Sequence, residues 1–162
     1  SDYGARLAAH FGLPYSYAYF FDDGRGVERA LGLYRQLYQP SAQYPRPIAS
    51  ICAWALAADT EAEARHLTHS RELWRVNLER NRREPLAPPD EAAVYPYEPA
   101  DRALIEALRA KALVGTDTQV ADLLLALASR LEIEEVVINT WTYDPAARDR
   151  SCELLAAALG CA

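Results

Sequence analysis

No run of about 18 apolar residues and no basic-then-apolar leader occurs in this 162-residue sequence, so neither a membrane span nor a secretory signal is expected. Cysteine is scarce. Cys52, Cys152 and Cys161 stand far apart, with no C-x-x-C spacing and no histidine cluster beside them, which argues against a zinc site or a disulfide framework and fits a reducing cytoplasm. A surplus of basic residues is also missing. The formal net charge of -6 leaves no face to neutralise phosphates, so nucleic acid is not an expected partner. Three catalytic or nucleotide-binding signatures are absent as well: the Gly-x-Ser-x-Gly elbow, the Walker loop and the Gly-x-Gly-x-x-Gly fingerprint.

What is present reads as one folded α/β domain. Hydrophobic residues make up 51% and charged residues 25%, the balance of a globular chain with a sizeable core rather than a disordered one. The segment from Ala5 to Phe11 has a helical apolar stripe and stops at Gly12-Leu13-Pro14. Tyr15 to Phe21 is almost continuously aromatic and predicts a strand. Val27, Ala30, Leu31, Tyr34 and Leu37 recur at helical spacing until Pro40. Ile48 to Leu56 carries no charge and predicts a strand covered on both faces, hence parallel pairing. Thr60-Glu61-Ala62-Glu63 is a capping box that opens a helix running to about Asn81, with Leu67, Trp74 and Leu78 inward.

Residues 84–99 are rich in proline, which removes donors and fixes φ, so an irregular excursion is expected there, either a lid or a binding loop. A short helix follows from about Ala100 to Ala112. Thr116 and Gln119 form a second capping box before a helix whose inward face is Val120, Leu123, Leu124, Leu127 and Leu131. Glu135 to Thr142 predicts a strand, and Asp144-Pro145 opens the last helix with a cap residue and a first-turn proline.

Two clusters bear on function. Arg71, Arg75, Arg80, Arg82 and Arg83, interleaved with Glu72, Glu79 and Glu84, read as a solvated helix face, with an anion contact as the alternative. His10, His66 and His69 all fall within helices, and His66 and His69 lack a third ligand, so no metal is expected.

Helices alternate with strands throughout, yet three strands are too few to close a barrel, and the chain begins with the turn and helix that should follow a strand. Four segments then carry a resemblance: residues 1–14 (Ser-Asp-Tyr-Gly through Gly-Leu-Pro), Ala57-Ala58-Asp59-Thr60-Glu61-Ala62-Glu63-Ala64, Val114-Gly115-Thr116 and Asp144-Pro145-Ala146-Ala147-Arg148. In order and spacing they resemble the bacterial luciferase-like flavin-dependent monooxygenases. The resemblance implies the C-terminal part of a (β/α)8 TIM barrel, with residues 1–162 forming a single partial domain and a lid-like excursion at 84–99, where bacterial luciferase carries its mobile loop.

The same resemblance implies reduced FMN as cofactor, no metal, O2 and a small organic substrate, and a partner flavin reductase. It places the FMN phosphate at the turn of Ser1, Tyr3 and Gly4. A serine hydroxyl and free helix-start amides suit a dianion, and glycine permits close approach, while Asp2 departs in sign. The alternative is that Ser1 and Asp2 only cap a helix. Tyr19, Phe20, Phe21 and Trp141 follow strands and would form a dry wall for the flavin ring or substrate, or simply pack the barrel rim. The missing strands would carry the residues that act on the flavin ring, so this piece by itself is expected to be inactive, and to self-associate as a homo-oligomer or pair with the absent half. A non-catalytic flavin-binding subunit and an unrelated α/β interaction domain are the competing readings.

Overall fold

The structure is a computed structural model that describes residues 1–161. Strands and helices alternate and every strand pairing is parallel, as the sequence predicts. The chain divides into two compact units, Ser1–Trp54 with Leu124–Asn139, and Ala55–Leu123 with the chain from Thr140 onward.

In the first unit, helix α1 (Asp2–Phe11) begins at an N-cap, Ser1, whose Oγ accepts from the Gly4 N–H at 3.3 Å. It ends at Gly12, where φ is +60° and the following Leu13 N–H donates to the Ala8 carbonyl at 2.9 Å, a left-handed stop that suits glycine. Ala5 and Ala9 are fully buried and let α1 lie close against α3 (Val27–Leu37). Strand β1 (Tyr15–Tyr17) and strand β4 (Glu135–Asn139) both pair with the first half of β2 (Ala49–Ala58), with Tyr17 and Val136 each in register with Ile51. Tyr34 of α3 is fully buried, and its hydroxyl reaches the carbonyls of Leu13 and Ile48 and accepts from the Ile48 N–H. One phenol thus ties the end of the first helix to the start of the central strand.

The strand expected over Tyr15 to Phe21 is corrected. It ends at Tyr17, and Tyr19–Asp22 forms a short helix, α2. The aromatic side chains favour any half-buried surface, while Asp23 and Gly24, both at positive φ, turn the chain so that only Tyr15 to Tyr17 can reach a strand partner.

In the second unit, helix α4 (Glu61–Glu79) is capped by Thr60, whose Oγ1 accepts from the Glu63 N–H at 3.1 Å. Its buried face is not the expected one. Ala64, Thr68, Arg71, Glu72, Arg75 and Val76 are buried, whereas Leu67 and Trp74 are half-buried and Leu78 is exposed. Arg71 and Arg75, 6% and 5% exposed, therefore do not lie on a solvated face, although Arg82 and Arg83 do. Arg80 is half-buried and paired with Asp101 at 2.7 Å.

The proline-rich stretch contains one regular piece, helix α5 (Pro89–Ala93), because prolines at helix starts cost nothing there. Helix α6 (Pro99–Arg109) starts on a capping box of Glu98 and Asp101. A strand not expected from sequence, β3 (Leu113–Thr116), pairs with the second half of β2, Ala55 with Leu113. The Thr116 and Gln119 box forms reciprocally, Thr116 N to Gln119 Oε1 at 2.9 Å and Gln119 N to Thr116 Oγ1 at 3.4 Å, and opens α7 (Asp117–Leu131). In α8 (Pro145–Leu159), the fully buried Ser151 accepts from the Ala57 N–H at 2.9 Å, a satisfied polar contact on the central strand.

Candidate functional site

The sequence-predicted residues fall in three places. Ser1, Tyr3 and Gly4 form the first turn of α1. Beyond the Ser1 Oγ contact, the Ser1 carbonyl accepts from the Tyr15 hydroxyl at 3.2 Å, and the Tyr15 phenol is pushed up by burial and then by the Asp2 charge. Asp2, the residue of awkward sign, is paired with Arg29 Nη2 at 2.7 Å, so its charge is matched within the unit. A Cβ at Gly4 would meet Ser1 Oγ at 3.6 Å and the Tyr15 ring at 3.7 Å, ordinary contact distances, so the packing of this chain does not itself demand glycine there. The Tyr3 side chain is 75% exposed.

Tyr19, Phe20 and Phe21 sit on α2, directly after β1. Tyr19 is buried, with Gly24 against its ring, while Phe20 and Phe21 have ring centroids 4.4 Å apart and Phe21 is exposed. Trp141 follows β4 in the second unit. Its ring lies 6.0 Å from Trp74, edge to face, and the Arg71 guanidinium stands 6.0 Å from its centroid. Arg71, assigned to a solvated face by pattern alone, is thus a buried cation on an aromatic ring.

Sequence reasoning missed the Tyr17 and Asp22 pair. The Tyr17 hydroxyl lies 3.0 Å from Asp22 Oδ2 and 2.7 Å from the Arg25 carbonyl, and its phenol is pushed up to about 12, first by burial and then by the Asp22 hydrogen bond. The unfolded chain releases that proton near pH ~10 while the folded chain holds it, so stability falls as pH rises from about 10 to about 12. Urea midpoints at pH 9 and pH 11 measure this. Tyr17→Phe is expected to shrink the drop between them, and an unchanged drop contradicts the assignment.

The second unit also holds a cavity of about 540 Å³ between α4, α6 and β3. Within it, the buried Glu72 carboxylate accepts from Arg109 Nε at 2.6 Å and Nη2 at 2.9 Å, and lies 3.1 Å from His69 Nδ1. The pairing raises the Arg109 pKa, chiefly through the hydrogen bond to Glu72. His66 reaches Asp90 at 3.5 Å, and His10 packs edge-on to Phe11, so all three histidines are helical as expected. Cys52, Cys152 and Cys161 are free thiols, and no helix among the described residues is long and apolar enough to cross a membrane.

Parallel strands alternating with helices define an α/β fold. No family model matches the chain. It is 31% identical over 152 residues to a protein of Escherichia coli strain K12 named luciferase-like monooxygenase, a match covering 94% of this chain and 45% of that protein. It is 33% identical over 152 residues to the uncharacterized protein YceB of Bacillus subtilis, covering 94% of this chain and 46% of the relative. The crystal structure of apo-MsnO8 superposes with a TM-score of 0.83 at 26% identity, covering 99% of this chain and 48% of that one. The FMN complex of the oxygenating constituent of 3,6-diketocamphane monooxygenase from Pseudomonas putida, a type II Baeyer–Villiger monooxygenase, shares the fold, with a TM-score of 0.54 at 19% identity over 93% of this chain and 43% of that chain. Over nearly its whole length the chain is similar in sequence and fold to luciferase-like monooxygenases. It spans about half the length of the curated relatives it matches.

Proposed function

We propose that the protein containing this chain is a flavin-dependent monooxygenase that uses reduced FMN, delivered by a partner reductase, and O2 on a small organic substrate. The observation that carries this reading is the start of α1 in a luciferase-like chain. Ser1 Oγ and the N–H groups of the first turn present donors and partial positive charge, and Asp2 is held by Arg29. These residues fit a phosphate dianion. Ser1 and the Tyr3 and Gly4 amides would hold it, the Gly4 N–H exchanging its bond to Ser1 Oγ for one to the phosphate, and the missing side chain at Gly4 supports close approach of the backbone. The flavin would supply the oxygen-activating chemistry. The chain's part is to bind and exclude water, and Phe20 and Phe21 of the first unit and Trp141 of the second are each candidates for an apolar contact with the ring or substrate. The protein works in the cytoplasm in this reading.

The chain is, in our reading, the C-terminal part of a (β/α)8 barrel, with the ring-facing polar groups on strands it lacks. Alone it is expected to insert no oxygen from isotope-labelled O2 into any of a panel of small organic substrates supplied with reductase and FMN, whereas the product of the complete coding sequence is expected to do so. Labelled product from the isolated chain overturns the division of labour. Tyr3, Leu7 and Phe11 leave an exposed apolar stripe along α1, which supports self-association of the chain or pairing with a complementary half. A monodisperse monomer by light scattering contradicts that part.

A further inference from the structure

The cavity of the second unit has a charge pattern that the flavin reading leaves unused. The Glu72 carboxylate, 4% exposed, engages Arg109 with both oxygens and adds His69 as a third neighbour. A carboxylate can only accept, so the hydrogen between Glu72 Oε2 and His69 rides on Nδ1, and in the neutral imidazole Nε2 keeps its lone pair. Arg65 is tied to Glu61 one turn earlier on α4. Glu106 on α6 is only loosely paired, 3.6 Å from Arg109 Nη1 with its side chain 75% exposed, and retains accepting capacity. Three carboxylates, Glu61, Glu72 and Glu106, face two guanidiniums, Arg65 and Arg109, so the lining carries one net negative charge while His69 is neutral.

Neighbouring groups do not cancel that charge. His66 is engaged with Asp90 of α5, and the Tyr97 phenol, pushed up to about 12 by burial and then by Glu72, stays neutral. Ala112 and Val114 add an apolar wall. An acceptor nitrogen, a loosely paired carboxylate, a net negative charge and an apolar wall suit a ligand with the opposite features. We propose that this cavity binds a small organic primary ammonium ion, its N–H groups donating to His69 Nε2 and Glu106 and its hydrocarbon part lying on Ala112 and Val114. The inference does not rest on the flavin reading.

The test is an NMR titration of the isotope-labelled chain with n-butylammonium chloride, replacing sodium chloride at constant ionic strength. The His69 ring and the Ala112 and Val114 methyl signals are expected to shift saturably, with the His10 ring unmoved. Glu106→Gln, a substitution on an exposed side chain, is expected to weaken the affinity about tenfold by removing a charge-assisted hydrogen bond. His69→Phe, read at the methyls, is expected to do at least as much. Tetramethylammonium, equally charged but without N–H donors, is expected to cause no shift. An absent shift, an equal response to tetramethylammonium or an unchanged affinity in Glu106→Gln would each overturn the proposal.

Discussion

Gly24→Ala is expected to lower the unfolding free energy by about 3 kcal/mol, the sum of left-handed backbone strain and overpacking against an aromatic ring. Gly24 has φ +79°, which L side chains rarely adopt, and a Cβ built there falls onto the edge of the Tyr19 ring. That ring cannot simply swing away, because Tyr19 is buried. Gly26 supplies the control. Its φ is +83° but nothing stands within 4 Å of a methyl group placed on it, so Gly26→Ala is expected to cost only about 1 kcal/mol, the strain alone. Urea unfolding of both variants separates the two effects, and equal losses would remove Tyr19 packing from the explanation. Because Tyr19 leads α2, the same substitution should also disturb Phe20 and Phe21, the aromatic residues proposed to face the ligand.

Tyr34→Phe is expected to cost about 2 kcal/mol although it removes a single oxygen. The hydroxyl accepts from the Ile48 N–H at 3.0 Å and has the carbonyls of Leu13 and Ile48 at 2.9 and 3.1 Å. Phenylalanine fills the same space, yet it leaves the part-buried Ile48 N–H and Leu13 carbonyl without the partner that the fully buried phenol brings them, and the desolvation of those groups is no longer offset. Tyr38→Phe is the comparison. Its hydroxyl reaches the carbonyls of Tyr44 and Gly12 at 2.7 and 3.2 Å from a half-buried position, where water can replace it, and a loss below about 1 kcal/mol is expected. Hydrogen exchange at Ile48 gives a second readout. Its amide should exchange markedly faster in Tyr34→Phe and not in Tyr38→Phe, and unchanged protection would show that the phenol does not anchor the strand.

Much of the architecture was legible because it is written in local chemistry. Thr116 with Gln119, Thr60 before α4 and Asp144-Pro145 before α8 each satisfy exposed amides within a few residues, and the structure forms these contacts. The uncharged run from Ile48 announced a strand covered on both faces, and β2 is buried along nearly its whole length. What failed depends on partners distant in sequence. Strand β3 is four residues long, and only its pairing with Ala55 to Ala58 makes it a strand. The inward face of α4 was misread because Leu67, Trp74 and Leu78 are the larger apolar side chains, while the helix in fact buries Arg71, Glu72 and Arg75. Glu72 is tolerated in that position through Arg109, 37 residues away, and Arg71 through a contact with the Trp141 ring. No periodicity encodes either.

Of the candidate site, the position of Ser1 at a helix start could be read directly, whereas the strands expected over Tyr15 to Phe21 and Glu135 to Thr142 end earlier and leave Phe20, Phe21 and Trp141 beyond them. The pairing of Asp2 with Arg29 could not be read, since α3 reaches α1 only in the folded chain, and that pairing offsets the acidic charge at the turn proposed to hold phosphate.

The most direct measurement is a fluorescence titration of the protein from its complete coding sequence with FMN and, separately, with riboflavin, in the parent and in Ser1→Ala. Recognition of phosphate at the start of α1 predicts tighter binding of FMN than of riboflavin, with the ratio reduced about tenfold in Ser1→Ala through loss of a hydrogen bond to a charged group. Equal affinity for the two flavins, or a ratio indifferent to the Ser1 hydroxyl, would contradict it.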